Sequence, residues 1–270
     1  MLPADGEEIK RVVRTYYSAR ARGETICCSP QPQCLDAGLC CPGPGVGETN
    51  SHAERLYVKE DLSTLPETVT DMSLGCGNPT AIAELQLGEV VLDLGSGGGL
   101  DCFLAVQRVG VKGKVIGLDM TPEMIRLARM NAQQMGLTNV EFQLGEMDCI
   151  PLPDASVDVI LSNCVINLSP DKDAVFHEAY RVLRPGGRLC VSDMVWLGQP
   201  PSEISADLSQ WVSCVAGALR REDYLAMIWA AGFVELSTSE PAVAAGSEYS
   251  REDGQRAELA SIHVRAVKPH

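Results

Sequence analysis

From residue 89 onward the chain alternates short apolar runs with amphipathic stretches. The runs Val90–Leu94, Lys114–Leu118, Val140–Leu144, Val157–Leu161 and Arg188–Ser192 read as strands, and residues 100–109, 121–135 and 170–183 between them carry helical spacing. Two helix starts are marked by a capping residue before a proline, Thr121-Pro122 and Ser169-Pro170. Proline suits the first helical position because its φ is already set and no N–H is needed there. Arg184-Pro185-Gly186-Gly187 stops the third helix and launches the next strand. Repeated βα units of this length predict a parallel sheet with crossover helices on both faces. The tail predicts helices near 203–218 and 221–231, then strands near 233–238 and 261–267 as an antiparallel edge.

The front of the chain follows a different pattern. Ile9, Val12, Val13, Tyr16 and Tyr17 recur at helical spacing within residues 5–22, and short helices fit 51–61 and 80–85. Between them, residues 27–47 (CCSPQPQCLDAGLCCPGPGVG) place five cysteines among prolines and glycines, which only a loop accommodates. The expected organisation is therefore a helix with a Cys-rich extension over 1–69, a core over 70–200, and a cap with edge strands over 201–270.

Composition narrows the function. With 270 residues, 45 % of them hydrophobic and 21 % charged, the chain is an ordinary globular one. Its 22 Lys+Arg against 36 Asp+Glu give a net charge of −14, which repels nucleic acid and anionic lipid, so neither is expected as a partner. The opening MLPADGEEIKRVVR lacks the apolar core of a secretory signal, and no run approaches the roughly 18 apolar residues of a membrane span. A soluble, cytoplasmic monomer is the expectation. Eleven cysteines in a reducing compartment favour thiol chemistry or soft-metal binding over a disulfide framework.

Candidate chemistry begins at the first strand, which ends Asp93-Leu94-Gly95-Ser96-Gly97-Gly98-Gly99. These glycines allow a sharp turn and a close approach of bare backbone to a ligand. Asp93 places an anion beneath the loop, which suits a ligand carrying an ammonium group rather than a pyrophosphate. Asp119 closes the second strand, where a carboxylate can accept both ribose hydroxyls. Gly145-Glu146-Met147-Asp148 closes the third, with Met147 available to an adenine ring.

This ordered set resembles the class I S-adenosylmethionine-dependent methyltransferases over about residues 88–200. The resemblance implies a Rossmann-like, mostly parallel seven-stranded sheet and S-adenosyl-L-methionine as cofactor. It puts Asp93 at the methionyl end, Asp119 at the ribose and Glu146 to Asp148 at the adenine. Gly95, Ser96, Gly97, Gly99, Met120 and Asn163 fall in the same implied site, with no catalytic metal ion.

The segments SLGCGNP, VLDLGSGGGLDCF, SNCVINLSPDK, EAYRVLRPGG and CVAGAL are similar to the arsenite methyltransferases across most of residues 70–220. That resemblance implies methylation of arsenite and methylarsenite held by cysteine thiolates. Cys76, Cys164 and Cys214 match the family's arsenic ligands and relay cysteine. A thiol pair, with Cys76 as one member and an N-terminal cysteine as the other, would return arsenic to the trivalent state as a disulfide. Thioredoxin or glutathione would reopen it. Which of Cys27, Cys28, Cys34, Cys40 or Cys41 takes part is open. Arsenic(III) is soft, prefers sulfur and offers its own lone pair, so no general base is required. That agrees with four histidines, 52, 177, 263 and 270, that form no evident site.

Other readings remain at this point. The chain could methylate another small molecule of quinone type, or sequester metalloid without catalysis. Zinc is a rival for the N-terminal cluster, although its CC-x5-C-x5-CC spacing lacks the usual C-x2–4-C pair. Cys102, Cys149 and Cys190 read as core or incidental, Glu178 and Arg181 as a solvated pair, and Tyr17 as a cover over the cofactor or as packing.

Overall fold

A computed structural model describes residues 5–24, 52–70, 72, 75–201, 204, 207–250 and 256–270. Cys27, Cys28, Cys34, Cys40 and Cys41 lie outside the described residues. The strands are β1 (Val90–Leu94), β2 (Lys114–Asp119), β3 (Val140–Leu144), β4 (Val157–Asn163), β5 (Leu183–Leu197), β6 (Val234–Thr238), β7 (Ala242–Ser250) and β8 (Arg256–Val267). They form one sheet in the order β3-β2-β1-β4-β5-β8-β6, with β7 also paired to β8. The pairs from β3 to β5 are parallel, and β8 runs antiparallel to β5, β6 and β7.

The sheet is thus seven strands across, as expected, but holds eight. The reason is the length of β8. Its last residues pair with β6 (Val234↔Val267, Thr238↔Val264) while its first pair with β7 (Ser250↔Arg256, Ala242↔Ser261), so two strands share one edge. The Arg184–Gly187 turn is also not a separate connection. Val157 pairs with Leu183 and Val159 with Arg188, which leaves residues 184–187 as a bulge inside β5. Backbone bonds of 2.8 Å from Gly186 to Lys268 and from Lys268 to Gly187 hold it to the end of the chain.

Each central strand buries both faces, as crossover helices on each side require. Leu92 and Ile160 pack on one side with Val175, Phe176 and Tyr224; Val91, Val159 and Leu161 pack on the other with Phe103 and Leu104. Helix α6 (Leu100–Val109) follows β1, and α7 (Pro122–Gln134) follows β2 with Thr121 at its cap and Pro122 in the first turn. Helix α8 (Lys172–Val182) starts two residues past the Ser169-Pro170 signal, because Asp171 is the residue whose side chain caps Ala174 N (3.0 Å). The Glu178–Arg181 pair is more than a surface ion pair. Arg181 also bonds the carbonyls of Ile150 and Leu152 at 2.9 Å, and Glu178 accepts Ile150 N at 2.8 Å, which together shape the loop after β3.

Of the helix expected over 203–218, the described residues from 208 onward form instead a 3₁₀ turn, Leu208–Gln210, followed by turns to Gly217. Cys214 sits at φ +61, which ends any helix, and a Cβ at Gly217 would overlap the carbonyl oxygen of Asn167. Close docking of this segment overrides its helical spacing. Helix α9 (Arg221–Ala230) follows. Ahead of the sheet, α1 (Gly6–Ala21) buries Ile9, Val13 and Ala19 on one face.

Phe176 is fully buried and meets Tyr224 edge-to-face at 5.4 Å. Phe176→Ala is expected to lower unfolding free energy by about 3–5 kcal/mol, read from the urea midpoint at unchanged slope.

Candidate active site at the carboxyl edge of the sheet

In an open α/β sheet, connections leave neighbouring strands in opposite directions at one point, and the crevice there binds ligands. Here that point lies between β1 and β4. The cavity at this point is lined by Asp93, Gly95, Ser96, Gly97, Asp119, Met120, Glu146, Met147 and Asn163 from the expected set. Gly99 is the exception. It caps α6 at φ +98, and a Cβ there would strike Phe103 and come within 3.1 Å of Phe142, so it serves the packing beneath the loop.

Asp119 shapes the glycine loop directly. Its carboxylate accepts Gly97 N at 2.9 Å and Thr121 N at 2.8 Å. Burial pushes its pKa up, while these two backbone bonds hold it down. Gly97, at φ +51, has no atom within 4 Å of where a Cβ would stand, so a side chain would project into the open cradle.

Two buried carboxyl groups, Asp93 and Asp101, stand together in the cavity rather than one. Asp93 accepts the Cys102 thiol at 3.2 Å, and burial, reinforced by the charge of Asp101, pushes its pKa well up. Asp101 lines the same cavity and accepts the Tyr57 hydroxyl at 2.9 Å. Burial raises it to about 6, opposed by its bonds from Asn163 and Tyr57. Sequence reasoning missed Asp101, because an acid in a helix's first turn is normally explained by the helix dipole. Two buried carboxyl groups lining a polar cradle suit a cationic ligand, whose nearby charge makes each easier to ionise.

Asn163 joins this pair to the thiols. Its Nδ2 lies 2.8 Å from Tyr57 Oη and 3.1 Å from Asp101 Oδ2, and its Oδ1 accepts Cys76 N at 3.1 Å. Cys164 follows it at φ +59, a strained backbone that costs on the order of 1–2 kcal/mol and turns the residue off the end of β4. Its sulfur lies within 4.8 Å of the Cys76 sulfur, and the Cys214 thiol packs against its backbone. Cys214 Sγ also donates to Cys164 O at 2.8 Å. Three sulfurs from segments 50 to 138 residues apart in sequence therefore meet beside the cavity, which Cys164 itself lines. Burial raises the Cys76 pKa; donation to Cys164, then burial, raises that of Cys214. At Cys164 the bond from Cys214 lowers the pKa, but donation to Cys76 and burial outweigh it. The trio is held as neutral thiols.

Helix α1 closes the roof. Ile9, Val13, Tyr16 and Tyr17 pack over Cys164 and Cys214, and the Tyr17 hydroxyl donates to Val212 O at 3.2 Å. Lys10 pairs with Glu146 (2.6 Å) and Asp148 (2.7 Å), and Arg14 with Glu146 (2.9 Å). Of the other cysteines, Cys102 and Cys190 are buried and Cys149 is exposed.

Residues 85–232 match a family model described as a methyltransferase domain. An arsenite methyltransferase of Halobacterium salinarum is 43 % identical over 98 % of this chain and 68 % of its own length. That of Mus musculus is 33 % identical over 85 % of this chain, which spans 59 % of the mouse protein. Among solved structures, an arsenic(III) S-adenosylmethionine methyltransferase from Chlamydomonas reinhardtii superposes with a TM-score of 0.70 at 35 % identity, covering 78 % of this chain and 73 % of that one. The chain belongs to the arsenite methyltransferase family of S-adenosylmethionine-dependent enzymes.

The residues present fit that cofactor: buried carboxyl groups for an ammonium, Asp119 for a diol, an open glycine cradle and Met147 for a flat ring. A carboxyl neutral below its pKa cannot pair with an ammonium. Affinity for S-adenosylhomocysteine is therefore expected to rise as pH passes through about 6 and to level above it. Calorimetric titration from pH 5 to 8 checks this, and Asp101→Asn should flatten the rise.

Proposed function

We propose that this protein transfers a methyl group from S-adenosylmethionine to arsenic(III) held by Cys76, Cys164 and Cys214, taking arsenite and methylarsenite as substrates. The observation that carries this is the convergence of three thiols, from three separate parts of the chain, beside the donor cleft, which Cys164 lines. Soft arsenic(III) exchanges its hydroxyls for sulfur, each thiol proton leaving with a hydroxyl as water. Bound donor supplies an electrophilic methyl on a sulfonium. What the chain contributes is placement: Asp119 fixes the glycine loop, Asn163 fixes the Cys76 backbone, and α1 covers thiols and donor together. Holding reactants in line can supply roughly 7–11 kcal/mol of barrier reduction.

Arsenic leaves the transfer in its pentavalent state. In this reading Cys76 and a thiol from residues 27–41 reduce it while becoming a disulfide, and thioredoxin or glutathione reopens the pair. A reducing compartment such as the cytoplasm suits that cycle, and no helix among the described residues is long and apolar enough to cross a membrane. A purely sequestering role is disfavoured by the donor cleft being lined by Cys164.

Incubation with arsenite, donor and a thiol reductant, followed by chromatographic separation of arsenic species, tests the proposal. Methylated arsenicals with matching S-adenosylhomocysteine are expected. Serine at 76, 164 or 214 should each lower the first methylation at least a hundredfold. Donor turnover independent of arsenic would refute the assignment.

A further inference from the structure

One buried charge beside the thiols has no part in the scheme so far. Asp193 lies on β5, opposite Ile262 of β8, with no solvent exposure. A carboxylate oxygen of Asp193 and the sulfurs of Cys76 and Cys164 all lie within 4.8 Å of one another. Its oxygens accept Met194 N at 2.9 Å and the Tyr224 hydroxyl at 3.1 Å, which hold it in place. Lys172 is the buried cation of this neighbourhood, yet its ammonium is turned to Ser169 O (2.9 Å), Asn167 O (3.4 Å) and the face of Trp211 (5.4 Å). It reaches Asp193 through space rather than as an ion pair. A buried carboxylate without a close cation is costly, so a fold that only needed packing here would do better with an apolar residue.

Charge bookkeeping shows what the carboxylate can do. Arsenic bound by three cysteine sulfurs is neutral, and its lone pair forms the new arsenic–carbon bond. The carbon–sulfur bond of the sulfonium breaks, and its electron pair stays on the donor's sulfur, which becomes a neutral thioether. One unit of positive charge thereby moves from the donor onto arsenic, into the pocket of buried thiols. A fixed anion aimed at the place where charge develops lowers the barrier, because the transition state feels it more than the ground state does.

We propose that the Asp193 carboxylate stabilises the positive charge that arsenic acquires during methyl transfer, an inference that rests on the methylation reading above. Burial raises its pKa, opposed first by the bond from the Met194 amide. The groups facing it are the Cys76, Cys164 and Cys214 thiols, Lys172 and Tyr224, and none of them supplies a competing anion while the thiols are neutral.

Asp193→Asn and Asp193→Glu separate charge from packing. The Asn variant is expected to lose about a hundredfold or more in kcat, the scale seen when one group stabilising developing charge is removed. Its KM for donor should stay within threefold of the parent. Its affinity for phenylarsine oxide, titrated by calorimetry without donor, should stay within threefold as well. The Glu variant, which keeps the charge, should retain kcat within tenfold. An Asn variant with kcat within threefold of the parent would overturn the proposal. So would equal loss in both variants, or loss of phenylarsine oxide binding in both, which would mark the residue as structural. Failure of the parent protein to methylate arsenite would instead defeat the functional reading itself.

Discussion

Three thiols can be buried together only while they stay neutral, and they become useful only if a soft electrophile can replace their protons. The carboxyl edge of this sheet meets both conditions. Burial keeps the sulfurs of Cys76, Cys164 and Cys214 protonated, and two of the three sit on backbone of positive φ. That strain is sustained by the docking of two loops, 164–169 and 211–217. The loops are tied by the Cys214 thiol on the Cys164 carbonyl, by Gly217 pressed on Asn167, and by Lys172 between the carbonyls of one and the Trp211 ring of the other. Loosening any of these would spread the sulfurs before it unfolded the sheet.

The donor cleft and the thiols are two halves of one arrangement rather than neighbours by accident. Asn163 bonds Asp101 at the donor end and the Cys76 backbone at the other, and α1 spans both. Ion pairs from Lys10 and Arg14 to Glu146 and Asp148 anchor that helix over the loop after β3. Partial burial disfavours the charge on Lys10, but the two carboxylates outweigh this and raise its pKa. The roof is therefore held by electrostatics at one end and by Ile9, Val13 and the two tyrosines at the other. An opening roof would admit water to both halves together.

Much of this was legible in the chain. The strand and helix periods, the Gly95–Gly99 loop and Asp119 follow from local rules, and the three cysteines stood in motifs that pointed to one site. What could not be read depends on distant packing. Asp101, Tyr57, Lys172 and Asp193 are single polar residues whose meaning comes from burial next to partners many residues away. The segment 203–218 has helical spacing, but over residues 208–217 docking on Asn167 and the left-handed Cys214 give turns instead. Gly99 looked like a ligand-facing glycine because it continues the loop's spacing; only the position of Phe103 shows that it faces inward.

The coordination of arsenic itself tests the central claim most directly. X-ray absorption at the arsenic edge, on the protein carrying one equivalent of arsenite and no donor, counts the neighbouring atoms. Three sulfur neighbours are expected in the parent, falling to two with an oxygen in their place when any one of the three converging cysteines is replaced by serine. A first shell of oxygen in the parent, or a sulfur count that all three replacements leave unchanged, would contradict it.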